Sequence, residues 1–302
     1  MKPLFHALNG AISASFYFVN TVVLVIPLVI FSFFKLIPNT VWRKWISKVV
    51  DGIATLWISI NNLNQHVFSR AKFTLRGQAE LSLDQWYLVI SNHQSWVDIL
   101  VLQRVFNYKI PFLKFFLKKN LIYVPFLGLA WWALDFPFMQ RYTKSFLQKH
   151  PHLKGKDLET TKKACEKFEF KPVSIMNFVE GTRFEPSKLN TDSQYKRLLP
   201  PRAGGVAFVL NAMGERLTKL VNVTIYYPSG IPSYWDFVCG KVNEVVIDVD
   251  TIDIKTLFED GIYSPECFTD EGKKQIFQDW MNQLWASKDH KLATMASEYP
   301  HK

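Results

Sequence analysis

From Leu8 to Phe34 the chain holds 27 consecutive residues without a charge. As a helix this run reaches roughly 40 Å, more than the apolar thickness of a bilayer requires. A secretory leader is shorter, carries more N-terminal charge and ends at a small-residue cleavage site. The segment is therefore expected to be a retained membrane anchor. Pro27 either kinks it or divides it into two legs that dip in and return. The next pattern is amphipathic. Trp42, Trp45, Ile46, Val49, Val50, Ile53, Trp57 and Ile60 recur at three- and four-residue spacing, with Arg43, Lys44, Lys48 and Asp51 off that stripe. The spacing predicts a helix with one apolar face, suited either to the membrane interface or to packing on its own domain.

Beyond this point the pattern alternates between short strands and helices. Residues 73–76, 87–90, 173–178, 221–227 and 245–249 read as strands, and residues 96–106 and 204–213 as helices. Residues 121–140 approach the length of a membrane span. Pro125, Gly128, Pro137 and Asp135 argue instead for a buried or interfacial segment lining a substrate groove. Residues 272–285 predict a helix over the sheet. The expected class is α/β: a mixed β-sheet flanked by helices, behind an N-terminal hydrophobic membrane-anchoring helical segment. Residues 1–65 form the anchor and interfacial helix, and residues 66–302 the α/β domain.

Composition adds to this picture. The formal charge is +10, and ten Trp, eleven Tyr and twenty-five Phe make the chain strongly aromatic. Positive charge suits anionic lipid or acidic substrates, and no nucleic-acid-binding pattern accompanies it, so nucleic acid is not an expected partner. Lys35, Arg43, Lys44 and Lys48 follow the anchor while only Lys2 precedes it. That asymmetry places the domain on the cytoplasmic face of a membrane, the inner membrane in a bacterium. Cys165, Cys239 and Cys267 lie far apart and read as reduced, buried thiols. No His, Cys and Asp cluster has metal-ligand spacing, so no metal is expected.

The candidate chemistry begins at Asn92-His93-Gln94-Ser95-Trp96-Val97-Asp98, at a strand-to-helix junction. A neutral imidazole accepts a proton near neutral pH, and a carboxylate on its other nitrogen fixes the tautomer. A plainer reading is a capping box, with Ser95 as N-cap and Asp98 three residues later. The second signal is Phe178-Val179-Glu180-Gly181-Thr182-Arg183, again after a strand. Its Gly permits a sharp turn, and the Arg183 fork suits phosphate. Read plainly, it is a surface turn with a Glu–Arg pair. Lys109, Lys114, Lys118 and Lys119 either meet phosphates or are solvated.

Together these blocks resemble the glycerolipid acyltransferases that include the 1-acylglycerol-3-phosphate acyltransferases. Asn92, His93 and Asp98 match the first block, N-H-x4-D, and residues 178–183 match the block ending E-G-T-R. Asp135 to Arg141 is similar to a hydrophobic block ending in Arg, and Lys118 to Gly128 to K-x-x-L-x-x-x-P-x-x-G. Val221 to Tyr227 lacks the Pro often found in the fourth block. With residues 199–205 before it, this version looks more like the lysocardiolipin acyltransferase branch and its bacterial relatives. The resemblance implies a membrane-bound acyltransferase moving a fatty acyl group from acyl-CoA or acyl-carrier protein to the free hydroxyl of a lysophospholipid, without a cofactor. His93 would be the general base, Asp98 its partner, and Asn92 a support for the loop. Glu180, Gly181, Thr182, Arg183 and Arg141 would bind or shape the acceptor site, and Ser91 would be structural. The alternative is a non-catalytic lipid-binding protein that retains the fold. A hydrolase would need a nucleophile elbow, and none is visible.

Overall fold

The computed structural model describes residues 2–77, 79–139, 165, 168 and 171–300. Two long helices open the chain, α1 (Lys2–Phe33) and α2 (Thr40–Asn64). The α/β body then follows as β1 (Lys72–Arg76), β2 (Tyr87–Ser91), α3 (Val97–Phe106) and β3 (Leu113–Phe115). A small pair, β4 (Leu117–Lys118) and β5 (Phe138–Met139), brackets α4 (Leu127–Ala133). Next come β6 (Ser174–Phe178), α5 (Gly204–Met213), β7 (Lys219–Tyr226), α6 (Tyr234–Val238), β8 (Glu244–Asp253), α7 (Ile254–Glu259) and α8 (Glu271–Glu298).

The main sheet has the order β1-β8-β7-β2-β6-β3. Every neighbouring pair is parallel except β7 with β8, so the sheet is mixed and the fold is α/β. β2 is buried at all five positions, as an apolar run covered on both faces requires. One face packs on α5 and α8 through Val206, Leu210, Phe277, Met281 and Trp285. The other packs on α3 and α6 through Val97, Val101, Leu102 and Phe237.

The N-terminal helices share a third core with α4: Val25, Leu28, Ile46, Val50 and Ala54 pack on Ala130, Ala133, Leu134 and Phe136. α1 also carries a polar stripe within its apolar run, and the body and α2 together satisfy it. The ring Nδ1 of His6 hydrogen-bonds Cys239 O at 2.9 Å, and Asn9 donates to Phe68 O and Val238 O at 3.0 and 3.2 Å. Ser13 donates to Asn64 Oδ1 at 3.2 Å, and Asn20 to Asn61 Oδ1 at 2.8 Å and Trp57 O at 3.1 Å. Just past the helix, Lys35 donates to Ala133 O and Asp135 Oδ2 at 2.7 and 2.6 Å.

The expected apolar face of α2 is divided. Ile46 and Val50 enter the core, whereas Trp42 and Trp45 are exposed and lie 5.6 Å apart by ring centroid. Residues 121–139 form a 3-10 turn, α4 and β5, so no long helix runs there. Gly128 is required at that turn, since a Cβ would lie 2.0 Å from Ile122 O. β3, α6 and α7 carry too little periodicity to be visible in advance, and α8 continues to Glu298, well past Trp285.

Candidate active site

β2 and β6 are parallel neighbours in register, with Ser91 opposite Phe178. Both motifs therefore leave the sheet side by side at its C-terminal edge, where open α/β sheets place their ligand sites. Asn92 is fully buried and extends the sheet with its side chain. Its Nδ2 donates to Ile225 O and its Oδ1 accepts from Ile225 N, each at 2.9 Å. The next residue, His93, turns out of the sheet.

His93 Nδ1–H donates to Asp98 Oδ2 at 2.9 Å. The same oxygen accepts from Gln94 N at 2.6 Å and Ser95 N at 2.8 Å. Asp98 Oδ1 accepts from the Tyr227 hydroxyl at 2.6 Å. Asp98 is fully buried, and four donors around one carboxyl define an ionised acceptor that holds imidazole Nδ1 protonated. Nε2 then carries the lone pair, and nothing among the described residues bonds it. The ring is 3.9 Å from Phe178 by centroid, stacked at 14°. Burial, with the Asp98 charge alongside, pushes the Tyr227 hydroxyl well above its ordinary range, so it remains a donor.

Ser95 Oγ accepts from Val97 N at 3.1 Å and donates to Pro232 O at 2.6 Å rather than taking Asp98 N, so of the capping box only the Ser95 N bond to Asp98 Oδ2 is present. Ser91 is fully buried, its hydroxyl turned to Asn92 Oδ1 at 3.5 Å. That position offers no route for nucleophilic attack.

In the second motif Gly181 adopts a φ of +72°, a left-handed turn that strains any side chain. Glu180 lies beneath the turn, 1% exposed. Its Oε1 accepts from His93 N at 2.9 Å and its Oε2 from Leu199 N at 2.8 Å. Both oxygens are thus engaged inside the protein. Phe184 N donates to His93 O at 2.7 Å, tying the two motifs together again.

Arg183 is exposed, its guanidinium carbon 5.1 Å from the Trp96 ring centroid. Lys188 clasps the turn by donating to Thr182 Oγ1 and Arg183 O, each at 3.2 Å. Arg202 covers Gly181; a Cβ there would sit 3.4 Å from its Cδ. Tyr227, Trp96 and Arg202 were not singled out as site residues from sequence. Tyr227 is a single tyrosine at the end of a strand, and no short spacing links it to Asp98. Arg141 lies outside the described residues.

A His–Asp pair whose second ring nitrogen is unbonded among the described residues, set beside an arginine-bearing turn, occupies the sheet edge. Residues 72–228 match the acyltransferase family, and the chain belongs to that family. Its relatives narrow the resemblance to 1-acylglycerol-3-phosphate acyltransferases. It is 25% identical to 1-acyl-sn-glycerol-3-phosphate acyltransferase 3 of Arabidopsis thaliana over 68% of this chain and 52% of that protein. It is 35% identical to the 1-acyl-sn-glycerol-3-phosphate acyltransferase of Saccharomyces cerevisiae over 43% of this chain and 35% of that one. The matches thus span about half and about a third of these relatives' lengths. The crystal structure of the 1-acyl-sn-glycerophosphate acyltransferase PlsC from Thermotoga maritima has the same fold. It superposes with a TM-score of 0.55 over 95% of this chain and 97% of that one, at 18% identity.

Proposed function

We propose that this protein transfers a fatty acyl group from a thioester donor, acyl-CoA or acyl-carrier protein, to the free hydroxyl of a lysophospholipid of the lysophosphatidate type. The observation that carries this reading is the His93 ring, held at Nδ1 by Asp98 and open at Nε2 among the described residues, beside the turn that carries Arg183. Nε2 takes the hydroxyl proton as the alcohol oxygen attacks the thioester carbonyl carbon. The tetrahedral adduct collapses, the carbon–sulfur bond breaks, and the imidazolium returns its proton to the departing thiolate. No acyl-enzyme is formed, in keeping with the buried Ser91.

Arg183 binds the acceptor phosphate in this scheme, with Arg202 on the other side of Gly181. Glu180 acts by fixing the His93 peptide rather than by touching the acceptor, because its two oxygens are already engaged. Gly181 and Thr182 shape the turn.

The acceptor is amphiphilic, and the protein meets it at a membrane surface. One segment among the described residues, Pro3–Leu36, is long and apolar enough to cross a bilayer. Its polar stripe is bonded to the body at His6 and Asn9 and to α2 at Ser13 and Asn20, and Lys35 beyond the helix is bonded as well, which favours a helix lying along the domain over one projecting through the bilayer. Exposed Phe5, Ile12, Phe16, Val23 and Ile30 on α1, with Trp45 on α2 and Trp132 on α4, supply the lipid-facing surface. The catalytic domain faces the cytoplasm, as the lysines and arginines after the anchor suggest.

Acyl transfer by the purified protein in detergent tests this reading. Labelled acyl-CoA or acyl-carrier protein is offered with a panel of lysophospholipids. Product with at least one acceptor is expected, falling by ~100-fold or more in a folded His93→Ala variant. Near-wild-type turnover by that variant would overturn the mechanism.

A further inference from the structure

Where α1 ends and α2 begins, a cavity of 210 Å³ opens against the end of α4. Lys35, Arg43, Lys44 and Lys171 line it, with Asp135 the single carboxylate among the described lining residues. Neither active-site motif contributes a residue to it.

The four cations fall into two pairs. The side chains of Lys35 and Lys171 are largely buried, and each is held by one carbonyl and one carboxylate. Lys35 donates to Ala133 O at 2.7 Å and Asp135 Oδ2 at 2.6 Å, and Lys171 donates to Ser47 O at 3.0 Å and to Asp51 Oδ2. An ammonium has three N–H groups, so one on each lysine lies beyond these bonds among the described residues. Arg43 and Lys44 are exposed on α2. Pairing explains the lysines at positions 35 and 171, as ties between α1, α2, α4 and the lead into β6. It does not explain two further cations on the same cavity. With Asp51 counted, four cations face two carboxylates there among the described residues. Like charges gathered around one opening favour an anion within it.

The opening is also apolar at its edge. Leu36 and Trp132 line the cavity and are exposed, and the Phe33 ring lies 6.0 Å from that of Trp132. Trp42 and Trp45 are exposed on either side of Arg43 and Lys44 in the sequence. A dissolved anion calls for no such surround. A phospholipid does, because its phosphate sits at the depth where Trp, Lys and Arg gather and its chains take the apolar side. At 210 Å³ the cavity falls below the ~300–1,000 Å³ of pockets that enclose a whole drug-sized molecule, so it takes a headgroup and leaves the chains outside.

We propose that this cavity binds the phosphate headgroup of an anionic membrane phospholipid that is neither donor nor acceptor, its chains lying over Phe33, Leu36 and Trp132. The site rests on the membrane-surface placement of α1 and α2. It is read by binding without turnover, so a failure of the acyl-transfer reading leaves it standing.

The test is flotation of full-length protein with vesicles of phosphatidylcholine alone or of phosphatidylcholine mixed with phosphatidylglycerol. Wild type is expected to prefer the anionic vesicles. Arg43→Gln with Lys44→Gln should lower binding to them by ~10-fold or more and change binding to the neutral ones less than ~2-fold. Lys44→Gln alone serves if the pair does not fold. Removing two exposed lysines elsewhere, Lys255→Gln with Lys274→Gln, should change either by less than ~2-fold. Ser47→Met fills the cavity without altering charge and is expected to lower the anionic preference as well. A wild-type preference in folded Ser47→Met, or equal losses in the two charge pairs, would mean diffuse attraction and overturn the site. Inorganic phosphate and coenzyme A, each at matched ionic strength, should leave flotation unchanged. Displacement by either would assign the cavity to a soluble phosphate and overturn the lipid.

Discussion

Asp98 takes four hydrogen bonds through two oxygens, and only one of them comes from His93. The carboxylate therefore organises the loop and orients the ring with the same atoms, and the capping and catalytic readings of residues 95–98 describe one object. Among the described residues Tyr227 alone serves Oδ1. Tyr227→Phe leaves that oxygen buried and unpaired, at a cost of ~1–3 kcal/mol in stability. It is also expected to lower kcat by roughly tenfold, since a less firmly held carboxylate orients the ring less well. Urea unfolding and steady-state kinetics on the same preparation check both. An unchanged kcat would show that Gln94 and Ser95 suffice. The two motifs that carry His93, Asp98, Glu180 and Arg183 stood out in the sequence because each is local. Tyr227 was not, because it meets Asp98 across 129 residues, a separation only the β2–β7 pairing closes. The exact use of Glu180 was hidden for the same reason: its partners are backbone groups of another loop.

At the scale of elements, the strands on both faces of the core were legible as apolar runs. The helix at the chain's start was legible only in outline. Its length and apolarity are plain, but the meaning of Asn9, Ser13 and Asn20 depends on Phe68, Asn64 and Asn61, which no periodicity reveals. β3 delivers another residue that escaped notice as a buried group, Lys114. It is 1% exposed, donates to Leu134 O at 2.5 Å and lies 4.8 Å from the Phe168 ring. Burial lowers it to about 7, and Lys171 and Lys35 act in the same direction against Asp51 and Asp135. The folded protein thus binds this proton less tightly than the unfolded chain, whose lysine titrates near 10.4. Stability should rise with pH between about 7 and about 10 as the unfolded chain's extra proton is lost. In Lys114→Met that rise should be reduced, as read from urea midpoints at pH 7 and pH 9. Equal slopes in both proteins would refute the assignment.

For the whole molecule, exposed apolar side chains cover α1, α2 and α4, and Trp96 beside Arg183 is exposed as well. Replacing Phe16 and Trp45 together by Ser is expected to weaken binding to anionic phospholipid vesicles by ~10-fold or more. Turnover on detergent-dispersed acceptor should change less than ~2-fold, because neither residue contacts the His–Asp pair. Vesicle flotation unchanged from wild type would show that the docking surface lies elsewhere. The bonding of α1 has one more consequence, and it concerns the order of events during synthesis. His6 meets its partner Cys239 across 233 residues. At ~5–20 residues per second, roughly ten to fifty seconds separate the two leaving the ribosome. Throughout that interval His6 stays unanswered, although Ser13 and Asn20 already have α2 beside them. The N-terminal end of this helix settles on the domain only after Cys239 has been made, so any membrane capture of so apolar a segment would come before the fold is complete.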